Sequence, residues 1–452
     1  MNAADALDSW YQQRSQALGA VSAVTASGKI TGINGILLES SLPQARIGDL
    51  CRVSRSGDEE MMAEVVGFNP HHTLLSALGP LDGVAQGAKV VPLFQPHSIA
   101  VSEALLGSVL DGFGRAIDEE SISAFALSSE HPNATPVLGD APSPTDRPRI
   151  DTALTTGIRA IDGLLTIGVG QRVGVFAGAG CGKTTLLAEL ARNTPCDAIV
   201  FGLIGERGRE LREFLDHELD AELRSRTVLV CSTSDRSSME RARAAFTATS
   251  IAEAFRDSGK SVLLIIDSLT RFARAQREIG LALGEPPGRG GLPPSVYTLL
   301  PGLLERAGKT SKGSITALYS VLIEQDSMND PVADEVRSLI DGHIVLARRL
   351  AERGHYPAID VLASLSRTMS SVVEKSQMQD ASLVRQLMSS YQQVEMLIRL
   401  GEYQPGNDAM VDAAVVAQDA INAYLRQAGR SPTAFEDVRY ALAEVSRYAP
   451  TH

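Results

Sequence analysis

Residues 172–184 read Arg-Val-Gly-Val-Phe-Ala-Gly-Ala-Gly-Cys-Gly-Lys-Thr, and no other stretch narrows the possible fold so sharply. An apolar run feeds a glycine-rich turn, and Lys183 and Thr184 then open a helix. Glycines let backbone N–H groups close around phosphate oxygens, while the helix N-terminus contributes the positive end of its dipole. Gly178, Ala179, Gly180, Cys181, Gly182, Lys183, Thr184 and Thr185 therefore form the predicted phosphate loop. Lys183 is placed to reach the β- and γ-phosphates and the Thr184 hydroxyl to ligate Mg²⁺. Ala177 stands where the first glycine of this pattern usually falls, a departure that its looser form tolerates. A buried strand running into such a loop implies an α/β fold that binds a nucleoside triphosphate.

The rest of the chain divides by pattern into three regions. After the first 20 residues, up to about residue 96, short β-like runs such as Leu50-Cys-Arg-Val and Met62-Ala-Glu-Val-Val alternate with turn residues, which predicts a small sandwich or barrel. From 97 to 378, near-continuous apolar runs begin at Ala198, Thr227, Val262 and Ile315, with helical segments between them. Runs apolar on both faces belong to a parallel sheet covered by helices. From 379 to 452 strand signals stop, and Leu383, Leu387, Val394, Leu397 and Ile398 recur at helical spacing. At the other end, Leu7, Trp10, Tyr11 and Leu18 line one face of a predicted short amphipathic helix, read as a partner-docking or frayed segment rather than a membrane-inserting one.

Composition removes several classes. A length of 452 residues implies two or three domains. A net charge of −12 argues against a general nucleic-acid binder, whose footprint is basic. Cys51, Cys181, Cys196 and Cys231 make no CxxC pair and no metal-like spacing, as suits a reducing compartment. The longest apolar runs are far too short to span a bilayer, so a cytoplasmic protein with at most peripheral membrane attachment is expected.

Two further segments carry chemistry. Val262-Leu-Leu-Ile-Ile-Asp267 places a carboxylate at the C-terminal end of a parallel strand, where open α/β sheets bind ligands, and Asp267 is the expected partner of Mg²⁺ opposite Thr184. Gly202-Leu-Ile-Gly-Glu206-Arg207 ends another strand. Glu206 is the predicted carboxylate that polarises the attacking water, and Arg207 the predicted γ-phosphate clamp. Arg209, Glu210, Arg212 and Glu213 read as a solvated helix face.

With these motifs in hand, the segment Tyr356-Pro-Ala-Ile-Asp-Val-Leu-Ala-Ser-Leu-Ser366-Arg367 resembles the signature of the α/β subunit family of rotary ATPases. Within that family, Phe201-Gly-Leu-Ile-Gly-Glu-Arg-Gly-Arg-Glu, Asp267-Ser-Leu-Thr-Arg-Phe-Ala and Leu322-Ile-Glu-Gln-Asp-Ser-Met-Asn-Asp-Pro are similar to the type III secretion ATPases of injectisomes, especially the Hrp type of plant-associated bacteria. The flagellar export ATPase is the nearest alternative. The resemblance implies a RecA-like core with a parallel sheet, an N-terminal β-barrel within 1–96 and a helical domain over 379–452. It implies ATP as nucleotide, Tyr356 stacking on adenine, and Arg367 as an arginine finger supplied to the neighbouring subunit of a homohexamer. Arg271 matches an arginine near the γ-phosphate, and the C-terminal domain is expected to help close the adenine pocket, with Tyr403 and Tyr424 as candidates. The implied activity is ATP hydrolysis that releases chaperones from effectors and unfolds those effectors for export. The implied partners are a stalk protein, a negative regulator at the N-terminal segment, chaperone–effector complexes and an export gate at the inner membrane. A non-catalytic rotary-ATPase subunit is disfavoured by Glu206, and an RNA translocase by an N-terminal region poor in aromatics.

Overall fold

The computed structural model describes residues 26–57, 59–129, 131, 133–323 and 330–450. The expected N-terminal helix around Trp10 lies outside the described residues, as does 324–329 of the motif beginning at Leu322. The chain divides into two compact units, up to His97 and from Ser98 onward.

In the first unit six strands close into a barrel: β1 (Gly28–Asn34), β2 (Leu37–Ser40), β3 (Asp49–Ser54), β4 (Glu60–Phe68), β5 (Thr73–Ala77) and β6 (Lys89–Pro96). Their order around the barrel is β1-β2-β5-β4-β3-β6, every pairing antiparallel. Ile30, Leu38, Val53, Val65, Leu75 and Val90 fill the interior. Closure removes the exposed edges that so short a set of strands would otherwise present. The sequence left sandwich and barrel open; the barrel implied by the resemblance is what forms.

The second unit is built on a nine-stranded sheet. Its strands are β7 (Val109–Leu110), β8 (Arg172–Ala177), β9 (Ala198–Glu206), β10 (Thr227–Thr233), β11 (Ser261–Asp267), β12 (Gly308–Lys309), β13 (Ser314–Leu322), β14 (Gly342–Leu346) and β15 (Leu365–Ser366). The order is β15-β14-β8-β13-β11-β9-β10-β7, with β12 hairpinned onto β13. All neighbours run parallel except β15 against β14 and β12 against β13. The four runs singled out from the sequence are β9, β10, β11 and β13, and their central residues are buried on both faces.

Helices α1 (Lys183–Asn193), α2 (Ser238–Asp257) and α3 (Leu269–Ala282) follow β8, β10 and β11. Ser237 caps α2 through its hydroxyl, which accepts from the Glu240 amide at 3.2 Å. The last three helices among the described residues are α4 (Lys375–Leu400), α5 (Ala409–Leu425) and α6 (Phe435–Ser446). Gly401, at φ +74°, stops α4 in the left-handed region. Asp408 caps α5 by accepting from the amides of Met410 at 2.8 Å and Val411 at 3.1 Å. These helices do not float free of the sheet. Leu387, Ala417, Ile421 and Leu442 belong to the same apolar cluster as Leu186 and Leu187 of α1 and Val175 and Phe201 of the sheet. The C-terminal residues of β8, β9, β11 and β13 lie along one edge, where the candidate site is assembled.

Candidate active site

Strand β8 is flanked by β13 and β14, so its C-terminal residue Ala177 delivers the loop to the middle of the sheet edge. Gly180 and Gly182 take φ values of +80° and +81°, which any side chain would resist. A Cβ built at Gly180 meets nothing within 4 Å, so the loop arches over open space. Gly182 is the cap of α1, whose first turn carries no acidic residue. A helix N-terminus with its dipole end beside a hollow of this kind suits an anion.

The Lys183 ammonium is drawn onto the carboxylate of Asp267 and stands 3.5 Å from the Ser320 hydroxyl. Ser320 donates to Asp267 at 2.5 Å. Asp267 is buried at the end of β11, as the apolar run before it requires. Thr184 and Asp267 share one cavity of about 320 Å³ with Glu206, Glu210 and Phe214.

Glu206 reaches that cavity because β9 is irregular at its end. Its pairing with β10 slips between Ile204 and Glu206, and Gly205 occupies the break at φ +66°. Such a bulge re-aims the next side chain. A Cβ at Gly205 would lie 3.1 Å from the Arg271 side chain, so the glycine also leaves room for Arg271 to approach Glu206. The Arg271 guanidinium sits 3.1 Å from the Glu206 carboxylate. Burial, then the charge of Asp267, then a hydrogen bond shared with Glu210 push the Glu206 carboxyl up to about 7, against the pull of Lys183 and Arg271. Glu210 is held low by the same shared hydrogen bond. A carboxyl that changes charge near neutrality is suited to general-base work.

Arg207 is not brought into this group. It is 78% exposed and does not line the cavity; its partner is Glu210, at 3.4 Å. Arg271, from α3, is the arginine beside Glu206. Glu210, read from the sequence as part of a solvated face, lines the cavity instead, and Ser320 was not singled out at all. Position supplied the missing signal in both cases: Glu210 lies one helical turn past Glu206, and Ser320 sits near the C-terminal end of a central strand.

On the other side of the phosphate loop is a second cavity, of about 480 Å³, lined by Gly180, Cys181, Thr185, Tyr356, Gln427 and Ala428 among others. Tyr356 is 47% exposed, and a Cβ at Gly182 would come 3.8 Å from its ring. A half-exposed ring beside a phosphate loop offers a stacking face for a base. Neither Tyr403 nor Tyr424 lines this cavity. Tyr403 hydrogen-bonds Asp412, and Tyr424 is buried with its hydroxyl donating to the Arg159 carbonyl at 3.2 Å. The C-terminal wall is instead the segment Gln427–Gly429, too small and polar to have been picked out by aromatic character.

Arg367 follows the edge strand β15, its amide donating to the Asp341 carbonyl at 3.0 Å. Its side chain is exposed, lines neither cavity and, among the described residues, has no ion-pair partner.

Comparison with known proteins identifies the family and the fold. Residues 157–366 match the ATP synthase alpha/beta family nucleotide-binding domain, and residues 373–444 match the T3SS EscN ATPase C-terminal domain. The chain is 62% identical over 450 residues to a type 3 secretion system ATPase of Pseudomonas syringae pv. tomato, covering 100% of each chain. It is 46% identical to a flagellum-specific ATP synthase of Treponema pallidum, covering 92% of each. Among solved structures, the assembled ATPase EscN from the enteropathogenic E. coli type III secretion system superposes with a TM-score of 0.86 at 44% identity, over 93% of this chain and 100% of that one. EscN in complex with its central stalk EscO matches with a TM-score of 0.84 at 43% identity, over the same shares.

Proposed function

This chain belongs to the type 3 secretion ATPases of the ATP synthase alpha/beta family, and we propose that it hydrolyses MgATP at a site completed by the neighbouring subunit of a homohexamer. The carrying observation is the division of charge. Lys183, Asp267 and Glu206 converge on one cavity beside the phosphate loop, while Arg367 stands exposed outside both cavities of its own chain.

In the proposed site the loop amides and Lys183 bind the phosphates, and Tyr356 stacks on adenine. Thr184 and Asp267 are the oxygen donors for Mg²⁺ arriving with the nucleotide, a hard ion that favours one hydroxyl and one carboxylate beside phosphate oxygens. Glu206 in its ionised form accepts a hydrogen bond from the attacking water, held in place by Arg271. Arg367 of the neighbour offsets the negative charge that develops on the transferred group, a contribution of roughly 10³- to 10⁵-fold in related phosphoryl transfers.

At the level of the cell, the reading is that hydrolysis releases chaperones from effectors and unfolds those effectors for export. A stalk protein would bind the ring, as EscO binds EscN, and a negative regulator would dock at the N-terminal segment. Attachment to the membrane would be peripheral; no helix among the described residues is long and apolar enough to cross a bilayer. The higher identity to the secretion ATPase than to the flagellar one favours effector export over flagellar export.

The test is the ATPase rate per subunit against protein concentration, with Glu206→Gln and Arg367→Ala assayed alone and mixed. Activity that rises with assembly, vanishes in each variant and partly returns in the mixture supports a shared site. A concentration-independent rate, with Arg367→Ala as active as wild type, would refute it.

A further inference from the structure

The segment Arg426–Ser431, which leaves α5 and closes one side of the 480 Å³ cavity, is tied down more heavily than a surface connector needs to be. Gln427 alone makes four hydrogen bonds. Its amide donates to the Tyr356 carbonyl at 2.9 Å. Its side-chain oxygen accepts from the Arg159 amide at 2.9 Å, and its side-chain nitrogen donates to the carbonyls of Gly157 at 2.6 Å and Ser431 at 2.7 Å. One residue thus joins the Tyr356 turn through its amide, and the helix beginning at Arg159 and the segment itself through its side chain.

Three residues further on, Arg430 adopts φ +57°, a left-handed conformation that is unusual for a side-chain-bearing residue. The carboxylate of Glu189 on α1 holds it there, accepting from the Arg430 amide at 3.1 Å through both oxygens. Arg192 donates to the same carboxylate at 2.8 Å. The Arg430 guanidinium then reaches the His217 carbonyl at 2.7 Å, in the turn that follows Glu206 and Glu210. Between these two anchors, Gln427, Ala428 and Gly429 face the phosphate loop and Tyr356 across the cavity.

We infer that Gln427 and Glu189 are positioning residues for the nucleotide: they fix the third wall of the base cavity, so that nucleotide affinity, rather than the chemical step, depends on them. The inference rests on the reading of that cavity as the base site. Neither residue lines the 320 Å³ cavity that holds Asp267 and Glu206; Glu189 reaches its wall only indirectly, through Arg192 to Glu218 and through Arg430 to the His217 carbonyl, so their main effect is on holding the base in place. Because α5 ends at Leu425, two residues before Gln427, the wall continues the chain directly out of a C-terminal helix.

The experiment uses the full chain. Affinity for a fluorescent ATP analogue, and KM and kcat for MgATP, are measured for Gln427→Glu, Glu189→Ala, Glu189→Gln and Tyr356→Ala. Gln427→Glu sets a carboxylate against two carbonyl oxygens with no change of shape. The expected result is a rise in Kd and KM of roughly tenfold, the weight of one partly buried polar contact, with kcat falling less than about threefold. Glu189→Ala should act in the same direction, and Glu189→Gln, which still accepts from the Arg430 amide, should recover most of the loss. If Gln427→Glu fails to fold, judged by its thermal midpoint, the Glu189 pair decides the matter. Tyr356→Ala separates the two layers of the argument. Weakened binding in Tyr356→Ala with wild-type binding in the other variants overturns the inference and leaves the base site standing. Wild-type binding in Tyr356→Ala overturns the base site and the inference with it. A fall in kcat at unchanged KM also overturns the inference.

Discussion

Glu206→Gln should inactivate the enzyme and, at the same time, stabilise it. In the folded chain the Glu206 carboxyl is pushed up from an ordinary 4.5 to about 7, chiefly by burial and then by the neighbouring charge of Asp267. A group whose folded pKa is raised binds its proton more tightly when folded. Its contribution to stability is present below 4.5 and is lost as the pH climbs to 7, so above pH 7 the ionised side chain is a net cost. At about 1.4 kcal/mol for each tenfold difference in proton affinity, that cost is about 3 kcal/mol. The attraction of Arg271 is already counted in the shifted value. Glutamine keeps the shape and carries no charge, so it should gain about 3 kcal/mol at pH 8 and less than about 1 kcal/mol at pH 5, where the wild-type carboxyl is itself protonated. Thermal unfolding of both proteins, without nucleotide and at one fixed concentration, measures this as a rise in midpoint of several degrees at pH 8 that nearly disappears at pH 5. The ATPase rate should fall by roughly 10²- to 10⁴-fold in the same variant. Equal midpoints at pH 8, or the same gain at both pH values, would refute the claim that a buried ionised carboxylate waits at the site.

Three other outcomes follow from the same geometry. In wild type, kcat/KM should climb with pH through about 7 as Glu206 ionises, and Arg271→Ala should move that limb to higher pH, because the cation favouring the ionised form is gone; a pH–rate profile of each protein checks it. Arg207→Ala should change kcat by less than about threefold in steady-state assays, since its guanidinium is largely exposed and does not line the cavity. Gly163→Ala should lower the unfolding midpoint and cost about 1–3 kcal/mol, because a Cβ there would lie 1.9 Å from the Tyr424 hydroxyl where α5 packs on the helix Arg159–Leu164.

The features legible in the sequence were those with local causes. The apolar run before Gly178 and the one ending in Asp267 announce central parallel strands, and they are β8 and β11. Turn residues between short runs near the N-terminus announce many strands, although closure into a barrel depends on β1 meeting β6 across about sixty residues, which no local pattern encodes. What stayed hidden depends on which elements become neighbours. Arg271 reaches Glu206 only because β9 and β11 are adjacent and Gly205 opens a gap. Ser320 bonds Asp267 only because β13 lies beside β11. Arg207, next to Glu206 in sequence, was assigned by proximity along the chain, yet alternation at a strand end turns consecutive side chains apart. Gln427 carries no motif at all; its importance comes from four partners drawn from three separate stretches of chain.

The charges around the 320 Å³ cavity explain why such a site would need a second subunit. Its five lining carboxylates each have a basic partner within the described residues: Asp267 with Lys183, Glu206 with Arg271, Glu210 with Arg207, Glu213 with Arg209 and Glu218 with Arg192. The site is therefore close to neutral before any nucleotide enters, and a triphosphate adds several negative charges to it. Lys183 can turn from Asp267 to the phosphates, but this leaves a buried carboxylate uncompensated, at a cost of several kcal/mol. A divalent ion carried in with the nucleotide is the charge that fits Asp267 once Lys183 has left. Charge that develops on the transferred phosphoryl group then finds Arg271, Arg207, Arg209 and Arg192 already paired with the lining carboxylates. On the proposed reading that charge is met by Arg367, which is exposed, has no ion-pair partner among the described residues and lies outside its own chain's cavity. On the proposed reading, a chain arranged in this way binds MgATP by itself and reaches full activity only when a neighbour brings that arginine to it.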